Sequence, residues 1–264
     1  MLTRYFLTGL FIAALAALVI GPITGGILAS IVFGFMAGNF ACSLVHRLPR
    51  GKSILENAPY CGACAHPLSE ADLLPVIGAL LLKHKCRYCG TPFPHSHTGT
   101  EILIGLLFTA CYMRLGFSQD YILVALLGTF LVTLAAIEIN DKRIMMPVLL
   151  TAMVTGMIYR TAHDGEIYNF LQGGLYGLFI GAAVWHKQIK RVAHTYTLPE
   201  NAKLTAMAGL CMGAISVWPT LALATVFYGV LWLIGRILKW ERVPVSVPVG
   251  LAIIVVMLFP VIPA

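Results

Sequence analysis

Long apolar runs follow one another almost without a break through this chain, and they limit its fold class before any motif is read. They lie near residues 102–117, 121–137, 147–160, 168–186, 203–217, 220–236 and 246–263, and a longer one covers residues 5–45. Crossing the roughly 30 Å hydrocarbon core of a bilayer takes about 20 apolar residues of helix. The runs therefore predict an all-α polytopic membrane protein with about eight transmembrane helices. Composition agrees: 59% of the 264 residues are hydrophobic, 11% are charged and the mean hydropathy is +0.85. These values exclude an ordinary soluble α/β domain.

The first run is interrupted by Gly21-Pro22. About forty residues of helix would measure about 60 Å, twice the hydrocarbon core. The run is therefore one span with a kinked or interfacial extension, or two short spans. With a single span there, the total is eight and the N-terminus lies outside. In that layout 15 of the 18 basic residues fall in cytoplasmic loops, leaving Arg4, Arg114 and Arg160 for the other side. This is the positive-inside asymmetry. It accounts for the net charge of +7 without a nucleic-acid partner, because the basic residues border spans and form no contiguous patch. The first run is too long, and lacks a small-x-small exit, for a cleaved signal peptide.

The one long polar stretch, residues 46–101, holds two CxxC pairs, Cys61/Cys64 and Cys86/Cys89, with 21 residues between them. This is a zinc-knuckle layout, each pair gripping a metal from one turn, and it predicts a small cytoplasmic zinc-binding insert. In a reducing compartment such pairs are metal sites more often than disulfides. The four thiolates complete a tetrahedron, which leaves His95 and His97 as surface histidines. Cys42, Cys111 and Cys211 lie within apolar runs and read as packed small residues. Gly173, Gly174, Gly177 and Gly181 place small residues on one helix face, a pattern of close helix packing. The organisation read from these features is a first transmembrane segment (1–45), a zinc-binding module (46–101) and a membrane domain (102–264).

Before the module, Gly38-Asn39-Phe40-Ala41-Cys42-Ser43-Leu44-Val45-His46-Arg47-Leu48-Pro49 ends an apolar helix in a basic residue and a proline. The segment resembles the G-S-F-L-N-V-V-I-x-R-L-P signature of type IV prepilin leader peptidases: Gly38, Phe40, Arg47, Leu48 and Pro49 match, while Asn39 and Cys42 depart from it. The CxxC module follows, with Asp72-Leu73-Leu74-Pro75-Val76 where that family has D-N-I-P-V, and then Glu101 where it has V-E. The resemblance implies a membrane aspartic endopeptidase that removes the leader of type IV pilin-like precursors. It also implies, in many members, a methyltransferase that uses S-adenosylmethionine on the new N-terminus, and it ties Gly38 to that second activity. The implied setting is the bacterial inner membrane, with module and active site on the cytoplasmic face and a pilin or pseudopilin precursor as partner.

Such a peptidase needs two carboxylates whose mutual repulsion splits their pKa values, one ionised to take a proton from water and one protonated to polarise the scissile carbonyl. The family's first aspartate stands seven residues before a proline, which here is Asn140 before Pro147. The second stands in G-x-G-D-x-K-L, which here is Asn201 before Lys203-Leu204. An amide can neither act as general base nor share the dyad's proton, so the chain as written is expected to be dead as a protease. The same near-isosteric swap at both positions points to inactivation of an active parent by substitution. The alternative is a natural pseudopeptidase that serves as a membrane scaffold. Glu138, Asp141 and Glu200 are the acids that could replace the pair, but Asp141 needs a one-residue slip that turns a helical side chain by about 100°. Glu200 takes a motif glycine's place, as does Leu198. Lys203 and Glu101 are candidate supporting residues. A small-solute transporter is disfavoured for want of a charged residue placed mid-span.

Overall fold

The computed structural model describes residues 21–53, 60–61, 63–69, 72, 74–92, 95–164, 167–184, 200–240 and 243–259. The part of the first apolar run before Gly21, the loop carrying Lys187, Lys190 and Arg191, and Leu198 lie outside them. The chain divides into two compact units, Met1–Tyr121 and Ile122–Ala264.

In the first unit, helix α1 (Pro22–Arg47) begins where Gly21-Pro22 interrupts the apolar run. Gly21 has φ 100°, and Pro22 takes the first helical position, where its missing N–H loses no bond. The 26 residues of α1 measure about 39 Å, enough for a span without the residues before Gly21. A single 3-10 turn, Leu48–Arg50, and Gly51 at φ 65° end it. After the cysteine module and a short helix α2 (Ile77–Leu81) comes α3 (His95–Leu115). Helix α3 runs antiparallel to α1 in a register set by small residues. A Cβ on Gly26 would strike the Tyr112 ring, one on Gly34 would lie 2.6 Å from Gly105 Cα, and one on Gly38 would lie 2.7 Å from Glu101 Cα. In lipid, where helix burial releases no water, such close backbone approach is a main source of attraction between helices.

The second unit takes in most of α4 (Gln119–Asp141), then α5 (Met146–Asp164), α6 (Ile167–Val184), α7 (Glu200–Ile237) and α8 (Ser246–Leu258). The glycine face read from the sequence packs α6 against α7. Added Cβ atoms on Gly173, Gly177 and Gly181 would meet Gly209 O at 2.4 Å, Thr205 O at 2.1 Å and Ala202 Cα at 2.8 Å. Cys42, Cys111 and Cys211 are buried, as their apolar setting predicts.

One break falls in a different place from the one the sequence predicts. The apolar runs separate near residues 218–219, yet Trp218 and Pro219 are helical. Helix α7 is instead interrupted at Gly213, with φ 74° and ψ 177°. The tertiary surroundings decide this. Asn169 on α6 accepts the Ala214 N–H at 3.0 Å, and Arg160 on α5 sits where a side chain at 213 would go, its Nη2 2.8 Å from the position of a Cβ. Only glycine fits that backbone in that space.

Among the described residues, three helical segments, Ile23–Arg50, Gln119–Asp141 and Asn201–Ile237, are each long and apolar enough to cross a bilayer. Large apolar side chains such as Leu106, Phe179, Val226, Leu233 and Ile237 are exposed, as contact with hydrocarbon requires and contact with water would penalise.

Candidate functional site: a four-cysteine centre, a cavity beside it and two asparagines

The two CxxC pairs form matched hairpins. In the first, the Cys61 N–H donates to His66 O and the Ala65 N–H to Cys61 O. In the second, Cys86 donates to Thr91 O and Gly90 to Cys86 O. Ala65 and Gly90 hold the same position in each turn, at φ 57° and 71°. Isolated antiparallel bridges close both turns, Tyr60 with Pro67 and Lys85 with Pro92. The four Sγ atoms lie within 4.8 Å of one another. Cys61 Sγ and Cys89 Sγ are 3.8 Å apart. Tetrahedral Zn–S bonds of about 2.3 Å demand sulfur separations of about 3.8 Å, so this donor set fits zinc. The Thr91 hydroxyl and N–H favour the Cys89 thiolate and bring its pKa down to about 6. The N–H groups of Cys64 and Ala63 lower that of Cys61. Both shifts favour thiolates at Cys61 and Cys89, whereas Cys64, despite a backbone hydrogen bond from His66, is pushed up to about 11 by burial and the other three thiols.

Against this module, where α1 ends and α3 begins, lies a cavity of about 820 Å³. Asn39, His46, Asp72, His97, Thr98 and Glu101 are among its lining residues. Glu101 is 9% exposed. Its Oε2 accepts the Val76 N–H at 2.8 Å. Desolvation raises the Glu101 pKa, and the Val76 bond opposes that only in part. Val76 lies in the Asp72–Val76 motif and is the centre of a γ-turn, φ 59° and ψ −50°, closed by the Ile77 N–H on Pro75 O at 2.5 Å. Positive φ at a β-branched residue is an outlier, held here by the turn and by Glu101.

His97 departs from its expected place on the surface. It is half-buried on the cavity wall, its Nε2 in hydrogen-bond contact with Nε2 of His46 and its carbonyl accepting from Cys42 Sγ at 3.4 Å. Burial, helped by His46, brings its pKa down to about 4. Sequence reasoning missed His46, because i,i+4 patterning within α1 does not report a partner 51 residues away. The side chain of His95 lies outside the described residues.

The structure brings Gly38 and Glu101 together and leaves the two asparagines without a bond to each other. Asn140 is exposed on the penultimate residue of α4, and Asn201 is half-buried on the second residue of α7. The Asn201 backbone carbonyl accepts from Thr205 Oγ1, while its side-chain Oδ1 is buried without a partner. Lys203 is half-buried and makes no ion pair among the described residues.

Glu138 proves to be a helix cap. It is 2% exposed, and its carboxylate accepts the N–H groups of Val245 at 3.1 Å and Ser246 at 2.7 Å, together with the Ser246 hydroxyl. These donors open α8, so a carboxylate completes them and opposes the positive end of the helix dipole. The Glu138 carboxylate is thus engaged in capping α8. Asp141 is the half-buried last residue of α4, and the Glu200 side chain lies outside the described residues.

Residues 32–115 match the family described as bacterial peptidase A24 N-terminal domain. The chain is 30% identical over 126 residues to a prepilin leader peptidase/N-methyltransferase of Myxococcus xanthus, covering 48% of this chain and 38% of that protein. It is 28% identical over 109 residues to one from Bacillus subtilis, covering 41% and 44%. It is 30% identical over 135 residues to one from Vibrio cholerae, covering 47% and 51%. The chain thus spans about half or less of the length of these relatives. No solved structure matches it. In its ordered motifs, its four-cysteine centre and these likenesses, the chain is similar to prepilin leader peptidases, and the family match covers residues 32–115.

Proposed function

We propose that this chain engages the leader of type IV pilin-like precursors at the cytoplasmic face of the bacterial inner membrane, in a form whose peptidase chemistry is switched off. One observation carries the reading: a chain with the family's N-terminal domain and cysteine centre has an amide at both aspartate positions. Each amide sits one residue inside a helix end, Asn140 in the last turn of α4 and Asn201 in the first turn of α7. With aspartates there, one carboxylate would deprotonate water while its protonated partner polarised the scissile carbonyl. An amide offers no ionisable proton for either step. The orphaned Oδ1 of Asn201 is an acceptor position that a protonated partner would complete.

In this reading Cys61, Cys64, Cys86 and Cys89 hold a structural zinc, which ties both hairpins to the wall of the cavity. The methyl-transfer half belongs to that cavity, which has polar lining residues such as Asn39 and Thr98 and room for S-adenosylmethionine, the supplier of the methyl group. The apolar segment of the precursor lies against the exposed apolar helices. The proposed domain division remains an anchor (1–45), the zinc module (46–101) and the peptidase domain (102–264).

Restoring both aspartates tests the proposal. N140D/N201D should cleave a prepilin that the unmodified chain leaves intact, and a silent double variant with its zinc in place would refute it. A second reading, a natural pseudopeptidase serving as a scaffold in pilus or secretion-system assembly, draws on the further loss of the motif glycines to Leu198 and Glu200. Asparagine codons at 140 and 201 in the natural gene would favour it, and aspartate codons would end it.

A further inference from the structure

Two carboxylates line the cavity of the first unit, and they are in different states. Asp72 is fully engaged: Oδ1 accepts Arg87 Nη2 at 2.7 Å and Nε at 3.0 Å, and Oδ2 accepts the Ser69 N–H at 3.1 Å. Glu101 has the Val76 N–H on one oxygen, and its other oxygen takes no hydrogen bond and meets no cation among the described residues. The cations of the wall are occupied elsewhere. Arg47 donates to Ser53 O at 3.2 Å, Arg50 to His46 O at 2.7 Å, and Lys52 to the Tyr60 hydroxyl at 3.0 Å. A buried carboxylate with an open oxygen calls for a cation, since charge without a partner is costly to bury.

Two backbone features set this carboxylate in place. Gly38 lets α1 come so close that a Cβ there would lie 2.7 Å from Glu101 Cα. The positive φ of Val76 aims one N–H at a single oxygen and leaves the other to the cavity. A volume of about 820 Å³ falls in the range of small-ligand sites and has room for more than one reactant.

We propose that Glu101 binds the positively charged α-amino group of a peptide N-terminus in this cavity and takes its proton, forming the amine subsite for methyl transfer. The assignment rests on the methyltransferase half of the proposed function. The ammonium first donates a hydrogen bond to the open oxygen of Glu101. Its proton then passes to the carboxylate, whose proton affinity burial has already raised, and the nitrogen is left with a lone pair. That pair forms the new N–C bond while the S–C bond of the sulfonium donor breaks and sulfur keeps the bonding electrons. The product is a secondary ammonium, and Glu101 returns its proton to water through the cavity.

The experiment uses the full chain, zinc-loaded, in detergent, with a fluorescent apolar peptide bearing a free N-terminus and its N-acetylated twin. A charge-assisted hydrogen bond predicts that the free amine binds at least about tenfold more tightly. E101Q keeps an acceptor for the Val76 N–H and should bring the ratio of the two affinities to about one. G38A, by pushing α1 against Glu101, should lower the same ratio. A purely structural Glu101 would weaken both peptides equally. Equal binding of the two peptides by the unmodified chain, or an unchanged ratio in E101Q, overturns the proposal. If E101Q loses its zinc, E101L replaces it, and a preserved ratio in that carboxylate-free variant also overturns the proposal. S-adenosylhomocysteine binding is measured in parallel: a tenfold loss in E101Q with the peptide ratio intact would assign Glu101 to the methyl donor and refute the amine subsite. Methyl incorporation is a separate readout, and its absence beside an intact amine preference would sink the methyltransferase reading alone.

Discussion

In the first unit an antiparallel pair, α1 and α3, closes over Gly34, Gly38 and Gly105 and ends in a cavity with a buried carboxylate. In the second unit α6 and α7 close over Gly173, Gly177 and Gly209 in the same manner, and Asn201 is the second residue of α7. The backbone solution is shared, while the polar groups at the helix ends have diverged. The first unit keeps a strained turn, a metal-fitting thiol set and an incompletely partnered carboxylate. The second keeps a fully bonded acid, Glu138, in a capping role and has amides at Asn140 and Asn201, the two positions proposed for the dyad. Packing alone therefore says little about which site is chemically competent. The ionisable groups decide that.

Removing the metal should separate the two units most strongly. A structural zinc contributes about 10–16 kcal/mol of apparent binding energy in small sites, so a chelator should open both hairpins to protease. Helical signal should fall little, because the helices of the second unit hold no cysteine ligand. Metal analysis should find one zinc per chain, and loss of most of the helical signal on chelation would break the contrast. Next comes N140D/N201D, expected to raise prepilin cleavage by at least about 10²-fold, the lower end of general acid–base contributions. Either single variant should stay at background, since the two carboxylates act as a pair.

The glycine seams invite a matched test. G34V and G209V each thrust a branched side chain into backbone, Gly105 in one unit and Gly173 in the other. Each should cost about 1–3 kcal/mol or more, read as a loss of thermal stability in detergent. A marked inequality would show that the seams differ in compliance despite their common geometry. The smallest effect belongs to E101Q. The folded-state pKa of Glu101 is raised, so its ionised form weighs against folding at neutral pH. That penalty is fully present above the folded pKa and vanishes below the unfolded value of about 4.3. E101Q should therefore be slightly more stable than the parent at pH 8, with the gain shrinking as pH falls. A lower melting temperature at pH 8 would mark Glu101 as a structural residue.

Much of the second unit was legible because apolar runs and glycine spacing report helices and helix faces directly. The seam through Gly173, Gly177 and Gly181 was read from spacing alone and is where α6 meets α7. The break at Gly213 was not legible, since it depends on Asn169 and Arg160 from two other helices. In the first unit the cysteine spacing announced a metal-fitting cluster. The His46–His97 pair and the engagement of Glu101 by Val76 join residues 51 and 25 positions apart, and no local pattern records them. Glu138 lay in view as an acid near a helix end, but its role as a cap depends on donors more than a hundred residues later.

The sequence by itself determined that the chain is helical and apolar enough for a membrane, that four thiols occur at zinc-knuckle spacing, and that two positions hold amides. These follow from hydropathy, from short-range spacing and from side-chain chemistry, none of which needs a fold. Only the tertiary structure decided which acids are satisfied and which are open, where α7 breaks, and why Gly38 must be glycine. Those depend on which backbone groups and side chains meet across distant segments, and a buried charge takes its meaning from such neighbours.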